Sequence, residues 1–382
     1  MNFELTEDQE HIRDAVRDFA ETKIAPGVAE REAGECFPTE IVQELGKMGI
    51  LGMMVPEKYG GAGADALSYI LAVEELARVC ASTAVIVSVN NSVFCYPVWK
   101  YGTEEQKATI LSEVASGRSL GAYALTEPQS GSDAANQKTR AIRDGDHYVV
   151  NGAKAWITNA GVARWYLVMA MTDPPAGTRG ITAFLVSADD PGVRPGAPEQ
   201  KMGLRASKTA SLFLENVRLP LSRRLGEEGQ GFPIAMATLD HSRIGIAAQG
   251  IGIARACYEA SVEYAKTRET FGKKLAEHEI VAFQIADMRL QIDAARLLTY
   301  RAALLSEKPG IRFSKETSMA KVFATEMANA VAARAVQIFG GYGYSREYPV
   351  ERFYRDARVT TIYEGTSEIQ RIVISKRILA GR

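Results

Sequence analysis

The period of the hydrophobic pattern changes twice along this chain, and those two changes constrain its fold more than any other feature. Up to about residue 118, apolar side chains recur at helical spacing, as in Ile12, Val16 and Phe19. Thr6-x-x-Gln9 and Thr103-x-x-Gln106 have the form of capping boxes that open helices. From about 119 to 226 the period drops to two. Residues 165–169, 181–186 and 211–214 are strand candidates, punctuated by Pro174-Pro175 and Pro191-Gly192. Asp144-Gly145 and Asn151-Gly152 read as hairpin turns on either side of residues 147–150. Beyond Gly231 helical spacing returns in four long stretches, 232–267, 277–306, 314–340 and 367–379, whose short connections predict a four-helix bundle. The expected fold is α+β and multidomain: an N-terminal α-helical domain (1–118), a middle β-barrel or sandwich domain (119–226) and a C-terminal four-helix bundle domain (227–382).

With 382 residues the chain exceeds one simple core, which agrees with several lobes. Its 46% hydrophobic and 24% charged residues are those of a globular protein. A formal net charge of -1 gives no overall attraction to nucleic acid or anionic membrane, so any phosphorylated ligand must be held locally. The four cysteines show neither CxxC spacing nor a dense framework, so buried free thiols in a reducing compartment are expected. Four unclustered histidines give no metal signal, and no Gly-x-Ser-x-Gly elbow points to a hydrolase. The acidic start Met1-Asn2-Phe3-Glu4 has no apolar leader, and no window reaches the length of a membrane span, so a cytoplasmic protein is expected. Glu74-Glu75, Glu104-Glu105 and Glu227-Glu228 are expected on solvated faces. The cluster Tyr59-Gly60-Gly61-Ala62-Gly63 lacks the Lys-Ser/Thr ending of a phosphate loop and reads as a structural loop.

The segment from Ile362 to Arg371 carries the sharpest chemical signal. Glu364 precedes Gly365, Thr366 can cap a helix, and Ile369, Ile372, Val373, Lys376 and Leu379 continue at helical spacing. A carboxylate on such a turn can point into a pocket, though the same residues also suit an ordinary helix start. Upstream, Leu125-Thr126-Glu127-Pro128 with Gly131-Ser132-Asp133 forms a tight loop that could present hydroxyls to a polar heterocycle or simply be a surface turn. Trp156-Ile157-Thr158 offers a flat ring face and a hydroxyl, or a core Trp. Arg268, near the end of a helical stretch, could fork onto a phosphate or cap a helix. Asp240 and Arg243 share a helix face and can pair.

Taken in order, these motifs together with Gln337-Ile338-Phe339-Gly340-Gly341-Tyr342-Gly343-Tyr344 make nearly the whole chain resemble the acyl-CoA dehydrogenases, with short-chain, butyryl-CoA dehydrogenase-like members the best match. The resemblance implies an FAD flavoenzyme that desaturates acyl-CoA thioesters to trans-2-enoyl-CoA, with Glu364 as the base for the α-proton. It implies flavin contacts from Tyr123, Leu125, Thr126, Gly131, Ser132, Trp156, Ile157, Thr158, Thr366 and Glu368. Arg268, Phe271, Gln337, Ile338, Gly340 and Gly341 would serve the FAD of a neighbouring subunit, which implies a homo-oligomer, a tetramer in the family. Ser132, Asp240, Arg243 and Gly365 would meet acyl-CoA. Ser242 stands where some relatives carry their catalytic Glu, which leaves the base on the C-terminal turn. Glu279 departs from the Gln that relatives commonly carry eleven residues after Arg268, which puts that diphosphate contact in doubt. An electron-transfer flavoprotein is the implied electron acceptor. An acyl-CoA oxidase would want a longer chain, and a DNA-associated relative would want a basic C-terminal surface. The stretch 88–94 resembles the pocket wall of short-chain members and lacks Arg, so a short to medium, straight or lightly branched apolar acyl group is expected rather than glutaryl.

Overall fold

The computed structural model describes residues 4–381. The N-terminal region is helical: α1 (Glu7–Phe19), α2 (Val28–Ala33), α3 (Thr39–Lys47), α4 (Ala66–Val79), α5 (Ala81–Ser88), α6 (Tyr96–Tyr101), α7 (Glu104–Gln106) and α8 (Ser112–Ala115). A π-helical segment, Val89–Cys95, joins α5 to α6. Both capping boxes form, at Thr6/Gln9 and Thr103/Gln106, each closing two backbone donors that a helix start leaves open.

The middle region holds β1 (Gly121–Ala124), β2 (Arg140–Asp144), β3 (His147–Thr158), β4 (Trp165–Met171), β5 (Ile181–Ser187), β6 (Val193–Pro198), β7 (Thr209–Pro220) and β8 (Arg224–Leu225). They hydrogen-bond in the order β6-β7-β3-β2-β4-β5-β8, with β1 parallel to β4. A single residue pair, Arg140 with Met171, joins the half built on β3 and β7 to the half built on β4 and β5. The two halves pack on each other, as the ring contact between Tyr148 (β3) and Phe184 (β5) shows, with centroids 4.9 Å apart. Asp144-Gly145 lies at the β2–β3 turn as expected. Asn151-Gly152 does not make a turn: β3 runs through it, with a shift of register against β7 between Val150 and Gly152. Gly152 is needed there because a Cβ would lie 2.4 Å from the Thr139 hydroxyl. A bulge and a hairpin turn want the same residue types, so the dipeptide alone does not separate them.

The four long C-terminal helices form as expected: α9 (Gly231–Thr267), α10 (Glu279–Ser306), α11 (Ser314–Phe339) and, last, α13 (Ser367–Leu379). A further short helix, α12 (Val350–Arg358), lies between α11 and α13. Helix α9 packs against α4, α10 and α11 and so ties the N-terminal region to the bundle. Its approach to α4 is close enough that a Cβ on Gly252 would sit 2.4 Å from the Glu74 carbonyl. That contact explains a correction. Glu74 and Glu75 are buried, not solvated, at 3% and 2% exposure. Arg255 (α9) lies 2.8 Å from both carboxylates, Arg296 (α10) 2.7 Å from Glu74 and Arg17 (α1) 2.9 Å from Glu75. Arginines up to 222 residues away supply the charges that make this burial tolerable. The other two glutamate pairs are exposed. Three of the cysteines are buried and free, whereas Cys36 is exposed. Among the described residues no helix is long and apolar enough to cross a membrane, and no cluster suited to a metal appears.

Candidate active site

Three parts of the sequence meet around one cavity of about 430 Å³. The C-terminal turn supplies the acid. Thr366 caps α13 by accepting from the Ile369 N–H, as its position predicts. Just before it the chain makes two left-handed residues, Glu364 with φ 52° and Gly365 with φ 93°. Such a backbone is strained for glutamate and persists only where neighbours enforce it. Here Gln370 Nε2 donates to the Gly365 carbonyl at 2.9 Å, and Lys321 Nζ donates to the same oxygen at 2.7 Å. A Cβ on Gly365 would stand 2.5 Å from the Gln370 amide, so the glycine serves the turn itself as well as the open space beside it.

Glu364 lines the cavity, and its buried Oε2 has no hydrogen-bond partner. Its N–H likewise has none among the described residues. Burial raises the Glu364 pKa above the ordinary glutamate value, and the Ser242 hydroxyl and the charges of Lys321 and Arg243 pull against that rise. Ser242 thus faces the same carboxylate from α9. Arg243, 4% exposed, also lines the cavity. Its Nη1 donates to Asp240 at 2.5 Å and to Ser318 at 3.1 Å, while its Nε is buried without a partner. Asp240 itself lies off the cavity wall, with its second oxygen taken by Ser314.

The opposite wall comes from the β region. Tyr123 (β1), Leu125, Thr126, Gly131 and Ser132 line it, as do Trp156, Ile157 and Thr158 at the end of β3. The register of β3 against β7 shifts between Lys154 and Ile157, and Trp156 sits in that bulge with φ 60°. The bulge turns the indole out, 62% exposed, instead of burying it as a strand Trp commonly is. Beneath the loop Lys154 reaches Glu127 at 2.8 Å, and the N–H groups of Lys138 and Thr139 donate to the same carboxylate. The loop is therefore a braced element, not a loose surface turn. Val85, Val89 and Val93 form an apolar end of the cavity. Within 88–94, Val89 and Val93 face it, while Asn90 and Asn91 hold backbone groups of Leu51, Ile50 and Met53 instead. A planar heterocycle fits this space: it has a free indole face, threonine hydroxyls and an unpartnered Tyr123 hydroxyl for a polar edge.

The remaining residues gather elsewhere. Arg268, Ile338, Gly340 and Gly341 line a second cleft of about 610 Å³ together with Tyr264 and Tyr342. Gln337 is exposed beside it, and Phe271 is 96% exposed with φ 53°. Glu368 is exposed at the start of α13 and lines neither space. Lys321 and Gln370 escaped the reading of the sequence. Lys321 did leave a signal: it shares the i, i+3, i+7 face of Ala324 and Ala328, an apolar stripe in which a lysine is out of place.

Comparison with known proteins agrees with this geometry. The family models for acyl-CoA dehydrogenase match as N-terminal domain over residues 6–118, middle domain over 122–217 and C-terminal domain over 229–379. The short-chain specific acyl-CoA dehydrogenase of Clostridium acetobutylicum is 47% identical, over 99% of this chain and 100% of that one. The butyryl-CoA dehydrogenase structure from Megasphaera elsdenii is 47% identical with a TM-score of 0.97, covering 99% of this chain and 100% of the other. A chain in a structure described as an electron transferring flavoprotein of Acidaminococcus fermentans is also 47% identical, with a TM-score of 0.98 and the same coverage. This chain belongs to the acyl-CoA dehydrogenase family.

Proposed function

We propose that this protein is an FAD-dependent acyl-CoA dehydrogenase that desaturates short- to medium-chain acyl-CoA thioesters to trans-2-enoyl-CoA, with Glu364 as the base. The observation that carries the reading is the Glu364 carboxylate, with one oxygen unpartnered, held by a strained turn at the wall of an apolar cavity. A saturated thioester is a weak carbon acid, so the base must be kept dry and the developing oxyanion must be met by donors. Glu364 takes the α-proton, and its free N–H donates to the thioester oxygen. FAD, when bound, accepts the hydride from the β-carbon. Tyr123, Leu125, Thr126, Gly131, Ser132, Trp156, Ile157, Thr158 and Thr366 hold that cofactor in this reading, and Glu368, which lies off the cavity wall, meets only a part of it that extends beyond the cavity. Ser132, Asp240, Arg243 and Gly365 hold the thioester, Asp240 acting through Arg243.

Arg268, Phe271, Gln337, Ile338, Gly340 and Gly341 serve the cofactor of a second copy. Support for that comes from the separate cleft that Arg268, Ile338, Gly340 and Gly341 line and from Phe283, Leu290, Leu297 and Leu304, which expose apolar surface at seven-residue spacing along α10. A homotetramer, three domains at 1–118, 119–226 and 227–382, a cytoplasmic setting and an electron-transfer flavoprotein as the oxidant complete the proposal. Arg243 is the one cation on the cavity wall among the described residues and already pairs with Asp240, which leaves no free cation for a terminal carboxylate. A panel of acyl-CoAs from about four to about sixteen carbons, oxidised anaerobically with an artificial acceptor, should peak on short, apolar chains. A maximum on glutaryl-CoA or on the longest chains would overturn the substrate assignment.

A further inference from the structure

Lys321 is fully buried on α11, and burying an ammonium is costly unless something answers its charge. The chain contains a second buried lysine that shows how this is ordinarily done. Lys154 has the Glu127 carboxylate at 2.8 Å, the Gln137 amide oxygen at 3.2 Å and the Leu125 carbonyl at 3.2 Å. Lys321 has one hydrogen bond, to the Gly365 carbonyl at 2.7 Å, and among the described residues no carboxylate within ion-pair distance. That carbonyl already accepts from Gln370 at 2.9 Å, so a second neutral donor would add little to the turn. What lysine brings and Gln370 does not is positive charge, and the adjacent residue is Glu364.

The geometry points to Lys321 as a positioning residue for the base: its ammonium clamps the Glu364-Gly365 turn and supplies the charge that keeps the Glu364 carboxylate ionised inside an apolar cavity. This rests on the reading of Glu364 as the base. The groups around the pair come from several elements. Arg243 faces Glu364 from α9, and Ser242 offers it a hydroxyl. Tyr69 from α4, Tyr123 from β1 and the adjacent Tyr363 sense its charge, and all three are held protonated chiefly by burial. Glu326 and Glu368 act on Lys321 from its own helix and from the start of α13. Of the two cations, Arg243 is engaged by Asp240 at 2.5 Å, which leaves Lys321 as the one with no other carboxylate at ion-pair distance among the described residues. Burial draws the Lys321 pKa down to about 7, against the attraction of Glu364. The charge that supports the base is therefore itself sensitive to pH near neutrality.

The test compares Lys321→Met, Lys321→Gln and Lys321→Arg with the wild-type holoenzyme. The readouts are the pH profile of kcat/KM on a short-chain acyl-CoA and the exchange of its α-hydrogen into deuterated water, followed by mass spectrometry. Retained flavin absorbance confirms folding in each case, and Gln, which keeps a donor, covers the event that Met does not fold. Both neutral variants should move the acid limb to higher pH. Their loss at about pH 6 should exceed their loss at about pH 9 by roughly tenfold, in exchange as well as in turnover, with little change in KM. Arg, charged throughout, should keep the limb near its original place. Profiles of Met and Gln that superimpose on the wild type after uniform scaling would show a purely structural lysine and overturn the proposal. A wild type that neither desaturates nor exchanges would bring down the reading of Glu364 and this proposal with it, and the wild-type arm alone identifies that case.

Discussion

Two buried carboxylate sites in this protein are made of the same residue types and do opposite things. At the α4–α9 contact, Glu74 and Glu75 are surrounded by Arg17, Arg78, Arg255 and Arg296, and every arginine in the set reaches a carboxylate oxygen. At the cavity, Glu364 keeps an oxygen without a partner on a strained backbone. Burial disfavours the charged form in both places. At Glu75 the arginines more than reverse it, so that carboxyl titrates below the ordinary value, while at Glu364 burial wins and the pKa stays raised. Burial alone therefore does not mark a functional acid. An acid with unspent hydrogen-bonding capacity, aimed at a space large enough for a ligand, does.

Removing one side of the matched site should have the largest effect on stability. Arg255→Met leaves two buried glutamates short of a shared partner and should destabilise the fold by about 3–5 kcal/mol, read from chemical denaturation. Equal stability of variant and wild type would mean that the arginine set is redundant. Next comes the loop on the β side of the cavity. Burial would raise the Glu127 pKa, but the charge and hydrogen bond of Lys154, with Thr139 and the Lys138 N–H, carry it down to about 2. The folded pKa is below the unfolded one, so the stabilisation is complete above 4.5 and is lost as pH falls towards about 2. Thermal unfolding between those pH values should show this loss, and Lys154→Met, which removes its cause, should flatten it. The smallest effect is at Asp356, an acid of intermediate kind. Burial and nearby Glu32 raise its pKa to about 7, although its Oδ1 accepts from the Leu204 N–H at 2.7 Å. With the folded pKa above the unfolded one, its contribution is full below 3.8 and disappears as pH rises through about 7. Asp356→Asn keeps the acceptor and should therefore be more stable than wild type above neutrality, by about 1 kcal/mol.

The sequence reveals most where one signal is local. Capping residues placed helix starts at Thr6, Thr103 and Thr366, and the switch between periods of 3.6 and two separated the three regions. Tyr123, Leu125, Thr126, Gly131 and Ser132, with Trp156, Ile157 and Thr158, do meet Glu364 around one cavity. What the sequence hid is what depends on partners distant in the chain. Nothing local shows that Glu74-Glu75 is inside, because Arg255 and Arg296 lie on other helices. Nothing local separates the bulge at Asn151-Gly152 from a hairpin turn, or shows that a second bulge turns Trp156 outward. The role of Lys321 could not be read either, since the Gly365 carbonyl it meets is 44 residues on.

If the unpartnered Glu364 oxygen is the base, one substitution removes its function and little else. Glu364→Gln keeps the side-chain volume and the backbone N–H but replaces the carboxylate by an amide that cannot take a proton from carbon. The variant is to be mixed anaerobically with butyryl-CoA while the flavin absorbance is followed. The flavin should stay oxidised, enoyl-CoA should still bind, and kcat should fall by at least the ~10²–10⁴-fold of a lost general base. Rapid bleaching of the flavin by Glu364→Gln would contradict that assignment and place the base elsewhere.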